Sequence, residues 1–179
     1  MVTNILEAIQ QKLGYAPLKK VDPNTQEIKG ARKMSPGEKL PQAAIPAILA
    51  AAIKYSDRKD GINLLTENSN QNWLATIYSG KENDAVQKVA DYSGVTPDEA
   101  RKHMENISNE TVAIVRSVVK SPDAEKLRSF MNSQRHNILS HLPASMKMGD
   151  VLNEETFDDR TNKMEGPVSG FLHRIENII

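Results

Sequence analysis

Four carboxylates, Glu154, Glu155, Asp158 and Asp159, fall within six residues of the stretch NEETFDDRTNKMEG, which runs from Asn153 to Gly166 and carries Arg160 and Lys163 just behind them. Carboxylates at that density have three uses: ligands for a hard cation, a general acid paired with a general base, or a turn fixed by its own ion pairs. A helix–loop–helix calcium loop needs oxygen ligands at alternate positions, glycine at the sixth and glutamate at the twelfth. Counted from Asp150, those two places hold Glu155 and Thr161, so the pattern fails. A di-metal carboxylate bundle needs Glu-x-x-His on paired helices, and no glutamate in this chain is followed three residues later by histidine. An acid/base pair needs surroundings that drive two pKa values apart, and no apolar stretch beside these residues supplies them. Neither a metal nor a cofactor is expected here.

In a helix, Glu154 would face Asp158 and Glu155 would face Asp159, each repulsion worth roughly a few tenths of a kcal/mol, with Asp159 and Lys163 the compensating pair. The residues therefore predict a turn. Asp158 or Asp159 would accept hydrogen bonds from nearby backbone N–H groups, and Arg160 would fork onto a carboxylate or onto helix-end carbonyls. Glu155, Asp158, Asp159, Arg160 and Lys163 form a candidate interaction surface and no catalytic centre. Met146, Met148 and Met164 flank it; exposed, such adaptable side chains would extend the surface, and buried they would fill space.

The histidines offer a second route to chemistry. His136 and His141 stand roughly 140° apart around a helix, so one helix cannot aim both at a single ion. His103 lies on the polar side of its expected helix, and His173 beside a terminal apolar stripe. An alternative reading is an enzyme whose site forms between two helical halves from His136 or His141 and a distant carboxylate. The chain has no cysteine, which removes thiolate metal sites, disulfides and cysteine nucleophiles. It contains neither a Gly-x-Ser-x-Gly elbow nor a phosphate-cradling glycine loop. Trp73 and Tyr78 could make a recognition patch, but helical core or boundary packing is the favoured reading.

Charge points elsewhere. The chain balances 23 basic against 23 acidic residues, whereas nucleic-acid binders draw most of their affinity from a basic surplus. Nucleic acid is thus a disfavoured partner; the sequence names no partner, another protein or a second copy of the chain being the open alternatives. The charge is unevenly spread: residues 1–60 hold ten Lys/Arg and six Asp/Glu, while the remainder holds 13 and 17. Lys19, Lys20, Lys29, Arg32 and Lys33 concentrate the positive part in a segment from Gly14 to Gly37 that has three prolines and little apolar pattern. This segment reads as a long loop or mobile basic arm, with a short two-stranded excursion around Val21 and Ile28. As a third reading, it could meet an anionic partner, either nucleic acid or a membrane surface.

The remaining sequence must supply the scaffold. Aromatics make up only 4% of the 179 residues, so aliphatic side chains and methionine fill the interior, which suits helices packed on helices. Ile5, Leu6, Ile9 and Leu13 recur at helical spacing between Thr3, a cap candidate, and Gly14. EKLPQAAIPAILAAAIKYSDRKDG reads as a helix apolar on nearly every face, hence central, with one of Pro41 and Pro46 in its first turn and the other marking a kink or the true start. Short helices are expected at INLLTE and WLATIY. A longer one covers ENDAVQKVADYS. Thr96, Pro97 and Glu99 open the next with a capping box. Ser121-Pro122 opens another the same way, with Leu127, Phe130 or Met131, Gln134, Ile138 and Leu142 inward. A terminal helix places Val168, Phe171, Leu172, Ile175 and Ile178 or Ile179 on one side. The expected fold is one all-α domain over 1–179, a compact bundle of six to eight helices. Leu40–Arg58 and Leu142–Arg160 share Leu-Pro at the start and Asp-Arg at the end, a faint hint of two pseudo-repeated halves.

The stretch VADYSGVTPDEARKHMENISNETVAIVRSVV resembles the repeated element of the YidB-like helical proteins of bacteria, through Gly94, Val95, Thr96, Glu99 and Ala100, with Val95 where that element has leucine. The resemblance implies an all-helical bacterial protein with no assigned reaction, and it carries over no functional residue. The N-terminus lacks a secretory pattern. The longest apolar run, Ala43 to Ile53, spans 11 residues including Pro46, against about 20 for a membrane-spanning helix; a cytoplasmic location is the expectation.

Overall fold

The computed structural model describes residues 4–67 and 71–158, apart from the side chain of Glu155. The expected terminal helix and His173 lie outside the described residues, and the cap of the first helix falls on Asn4 and not, as expected, on Thr3. Within them the chain is all-α: eight α-helices and three 3-10 turns, with no strand. Val21 and Ile28 do meet, as one isolated antiparallel bridge.

Helix α1 (Ile5–Leu13) starts at Asn4, whose side chain accepts the Glu7 N–H, and ends at Gly14, whose φ of 71° turns the chain out of the helix. Helix α2 (Pro36–Ser56) is the axis of the molecule, and most of the later helices pack against it. It begins with a full capping box: the Ser35 hydroxyl accepts the Glu38 N–H while the Glu38 carboxylate accepts the Ser35 N–H, and Pro36 takes the first helical position. Pro41 and Pro46 therefore both lie in the helix interior, which corrects the expectation that one would sit in the first turn. The lost N–H of Pro41 would have met the carbonyl of Gly37, an exposed residue whose oxygen water can reach. Two interior prolines cost about 6 kcal/mol in helix propensity. Ile45, Ile48, Leu49 and Ile53 are fully buried, and burying four such side chains contributes roughly 6–12 kcal/mol. Packing outweighs the backbone preference.

Helices α3 (Asn63–Thr66), α4 (Trp73–Tyr78) and α5 (Glu82–Ser93) follow, and Ser79 and Gly94 end the last two in left-handed conformations. Helix α6 (Pro97–Val118) starts where expected, with Thr96 accepting the Glu99 N–H at 3.2 Å and Pro97 at the first position, but the expected capping box is only half formed, since the return bond from the Glu99 carboxylate to the Thr96 N–H is not made. Helix α7 (Ala124–Leu139) differs from expectation: Asp123 is its cap, accepting the N–H groups of Glu125 and Lys126, so Pro122 precedes the cap. One carboxylate serves two of the orphan donors of a helix start. Leu127, Met131, Gln134 and Ile138 face inward from α7, while Leu142 is buried just beyond its end.

After Pro143 come a 3-10 turn (Ala144–Met146), helix α8 (Met148–Leu152) and a second turn (Glu155–Phe157). The Leu40–Arg58 span is mostly one helix, whereas the described part of Leu142–Arg160 is turn, short helix and turn. The two spans do not share a local structure, which removes that basis for pseudo-repeated halves.

Candidate interaction surfaces

The acidic stretch is a turn, and its described carboxylates are occupied by the fold itself. Asp158 accepts the N–H of Gly149 at 2.7 Å and of Asp150 at 3.1 Å, which are orphan donors at the start of α8. A Cβ on Gly149 would lie 2.5 Å from the Asp158 carboxylate and 2.6 Å from the Glu154 carbonyl oxygen, so only glycine lets the turn close. Glu154 receives Arg135 at 2.7 Å, Thr156 at 2.8 Å and Lys54 at 3.2 Å. Burial would push the Glu154 carboxyl up, but those three hydrogen bonds outweigh it and hold the group below the ordinary carboxylate range. The Arg135 guanidinium also lies 4.7 Å over the ring of the buried Phe157. The pairing of Asp159 with Lys163 and the fork of Arg160 fall outside the described residues, as does Met164. The ion pairs found instead join Glu154 to α2 and α7, partners that adjacency in sequence could not reveal. Met146 and Met148 are buried and fill space. Among the described residues, no group of three His, Cys, Asp or Glu is placed to hold a metal ion.

His136 is exposed on α7, whereas His141 is buried beyond its end with Nδ1 2.7 Å from the Asn137 carbonyl oxygen. Neither hydrogen-bonds a carboxylate among the described residues. His103 Nδ1 lies 2.7 Å from the Tyr15 hydroxyl, a contact that fastens the chain after α1 to α6, and burial raises the Tyr15 pKa. Trp73 and Tyr78 are buried; Arg116 stacks 5.2 Å over the Trp73 ring and donates to the carbonyls of Leu64 and Glu67. They pack and present no patch.

The basic segment is tied to the bundle by a residue that sequence reading passed over. Gln42 is the one amide in the otherwise apolar face of α2 and is 1% exposed. Its oxygen accepts the Lys19 N–H at 2.8 Å, and its NH2 donates to the carbonyls of Lys19 and His141, both at 3.0 Å. Next to this clasp, the Val21 N–H donates to Ser140 and the Ala144 N–H to Gln26. Glu27 accepts both the N–H and the hydroxyl of Ser145. Ile28, 3% exposed, is buried beneath the segment. Lys19, Lys20, Lys29, Arg32 and Lys33 stay exposed. None of them is among the ion pairs of the described residues, which employ Lys12, Lys54, Arg58, Lys88, Lys126 and Arg135.

This chain matches no family model, no curated protein and no solved structure. No helix among the described residues is long and apolar enough to cross a membrane.

Proposed function

We propose that the protein is an interaction module and not an enzyme, and that its working surface is the basic segment from Lys19 to Lys33, offered to an acidic face of another protein. The supporting observation is the Gln42 clasp: it sets the course of the backbone at Lys19, beside basic side chains that form no ion pair among the described residues, although Lys19 is close enough to Glu38 to add to the lowering of its pKa that the Ser35 hydrogen bonds cause. Fixing the backbone in advance lowers the ordering cost of binding, and unpaired surface charge contributes mainly through steering and complementarity. The zero net charge of the chain favours a protein partner over nucleic acid. The described carboxylates of the acidic turn are engaged within the fold, and neither His136 nor His141 hydrogen-bonds a carboxylate among the described residues, so a catalytic reading lacks a comparable support.

Deleting the segment would be a poor test, because it would remove the buried Ile28 and strand the bundle groups to which the segment is hydrogen-bonded. Reversing three exposed charges, K19E/K20E/K29E in the full chain, leaves the clasp in place. A polyglutamate peptide should bind the wild-type protein at low salt, weaken steeply as salt rises, and lose binding to the triple variant by at least tenfold. Absent or salt-independent binding by the wild type, or binding that survives the reversal, overturns the proposal. Tighter salt-sensitive binding to random duplex DNA than to the peptide would also overturn the protein-partner assignment.

A further inference from the structure

His141 stands at the joint between the bundle and the basic segment. The fastenings of that segment run through the residues just beyond α7. The Val21 N–H donates to the Ser140 carbonyl, and the Ala144 N–H donates to the Gln26 carbonyl. The His141 carbonyl accepts the same Gln42 amide that holds Lys19. The side chain of His141 is buried at this joint. Its Nδ1 lies 2.7 Å from the Asn137 carbonyl oxygen. A carbonyl can only accept, so Nδ1 carries a hydrogen and the neutral ring keeps its lone pair on Nε2. A proton taken up at Nε2 leaves the Asn137 bond intact and adds a full positive charge inside the joint.

The groups around the ring decide what that charge does. Burial opposes it, as does Lys20 of the segment, while the Asn137 carbonyl and Glu7 of α1 favour it; the opposition wins. Helix α2 contributes only the neutral Gln42 to the joint, and His136, the titratable neighbour on α7, is exposed. A buried charge is relieved when water reaches it. Lys20 and Glu7 put the segment and α1 beside the ring, so one of the two must yield. Helix α1 is the firmer. It buries Ile5, Leu6 and Ile9 in the core, the Ile5 N–H donates to Gln134, and Asn4 accepts the Asn137 amide. From Lys19 to Lys33 the segment has a single buried side chain, Ile28, and elements with few buried apolar contacts open first. Its departure also takes the like charge of Lys20 away.

We infer that His141 is an acid-operated latch: protonation of its ring lifts the segment around Lys19 and Val21 off the end of α7 while the helices stay folded. As a regulator of binding the latch rests on the function proposed above, but its opening needs no partner and is read separately.

The opened state exposes a histidine that titrates near 6.5 and the closed state holds one that titrates lower. Closure is therefore fully present above 6.5 and is lost as pH falls below it. Amide exchange in the full-length protein, corrected for the intrinsic pH dependence of each site, reads this directly. Protection at Lys19 and Val21 should hold steady above 6.5 and fall by up to about tenfold per pH unit below it, one proton per opening. At every pH these two amides should be less protected than those of α6. His141→Gln, which can still donate to Asn137, should make their protection independent of pH. Should that variant fail to fold, Lys20→Gln decides. Without the like charge the closed ring protonates more readily, so protection should fall less than in the wild type, whereas Lys29→Gln on the same segment should match the wild type. Wild-type protection at Lys19 and Val21 that ignores pH overturns the latch. So does protection equal to that of α6, because the segment would then leave only when the whole molecule unfolds. A fall that persists in His141→Gln, or one identical in the two lysine variants, assigns the proton to another group and also overturns it. Loss of protection in α1 without loss at Lys19 and Val21 would make α1 the part that moves. Failure of polyglutamate binding touches none of these readings and counts against the proposed function alone.

Discussion

His141 shows how a single buried group makes the molecule depend on pH. Burial lowers its pKa from 6.5 and Lys20 adds to that, against the opposing influence of the Asn137 carbonyl and of Glu7. The unfolded chain therefore takes up a proton near 6.5 that the folded chain accepts only at lower pH, so stability is fully present above 6.5 and is lost as pH falls below it. Glu154 acts in the same direction lower down: its depressed carboxyl contributes above the unfolded value of 4.5 and loses that contribution as pH falls through the folded value. Urea denaturation followed across pH should give a plateau above 6.5 and a decline below it. His141→Gln should flatten the first part of the decline and leave the part below 4.5. Equal slopes in the two proteins would remove His141 as the cause.

Helix α2 is the element on which the others rest, and its start illustrates what sequence grammar reveals and conceals. Ser35 and Glu38 supply the only complete capping box among the described helices. Ser35→Ala should destabilise the fold by about 1 kcal/mol, seen as a lower denaturation midpoint with an unchanged slope. A loss confined to local fraying, with no change in the global midpoint, would show that α2 does not need its first turn. The Ser-Pro-Gly-Glu signal of this box was passed over because Pro41 and Pro46 lie just downstream, and the backbone penalty they carry is visible in sequence whereas the burial that offsets it is not. Gly14, Gly94 and Thr96-Pro97 were readable because their effect is local. Helix α8 was not readable: five residues cannot nucleate alone, and it is held by Asp158, with Lys54 and Arg135 fixing the turn that follows.

At the scale of the whole molecule, the candidate site was half legible. The basic residues, the turn-forming character of the acidic stretch and the contact between Val21 and Ile28 could all be read from residue types and spacing. The fastening of the basic segment could not, because Gln42 meets Lys19 across 23 residues and His141 across 99. A signal did exist: one amide amid the apolar run of α2 must find partners if buried. Its removal is the sharpest test of how the bundle and the basic surface are joined. Gln42→Leu keeps the volume and apolar surroundings but strands the Lys19 N–H and the carbonyls of Lys19 and His141. Each stranded buried group costs about 1–3 kcal/mol, relieved at Lys19 by water, since that residue is exposed. The segment should detach before the helices do. Amide exchange at Lys19 and Val21 should rise toward that of an open chain while the amides of α6 keep their protection, and the salt-dependent binding of polyglutamate should weaken with it. Unchanged protection at Lys19 and Val21 would mean that Ile28 and Glu27 hold the segment without the clasp.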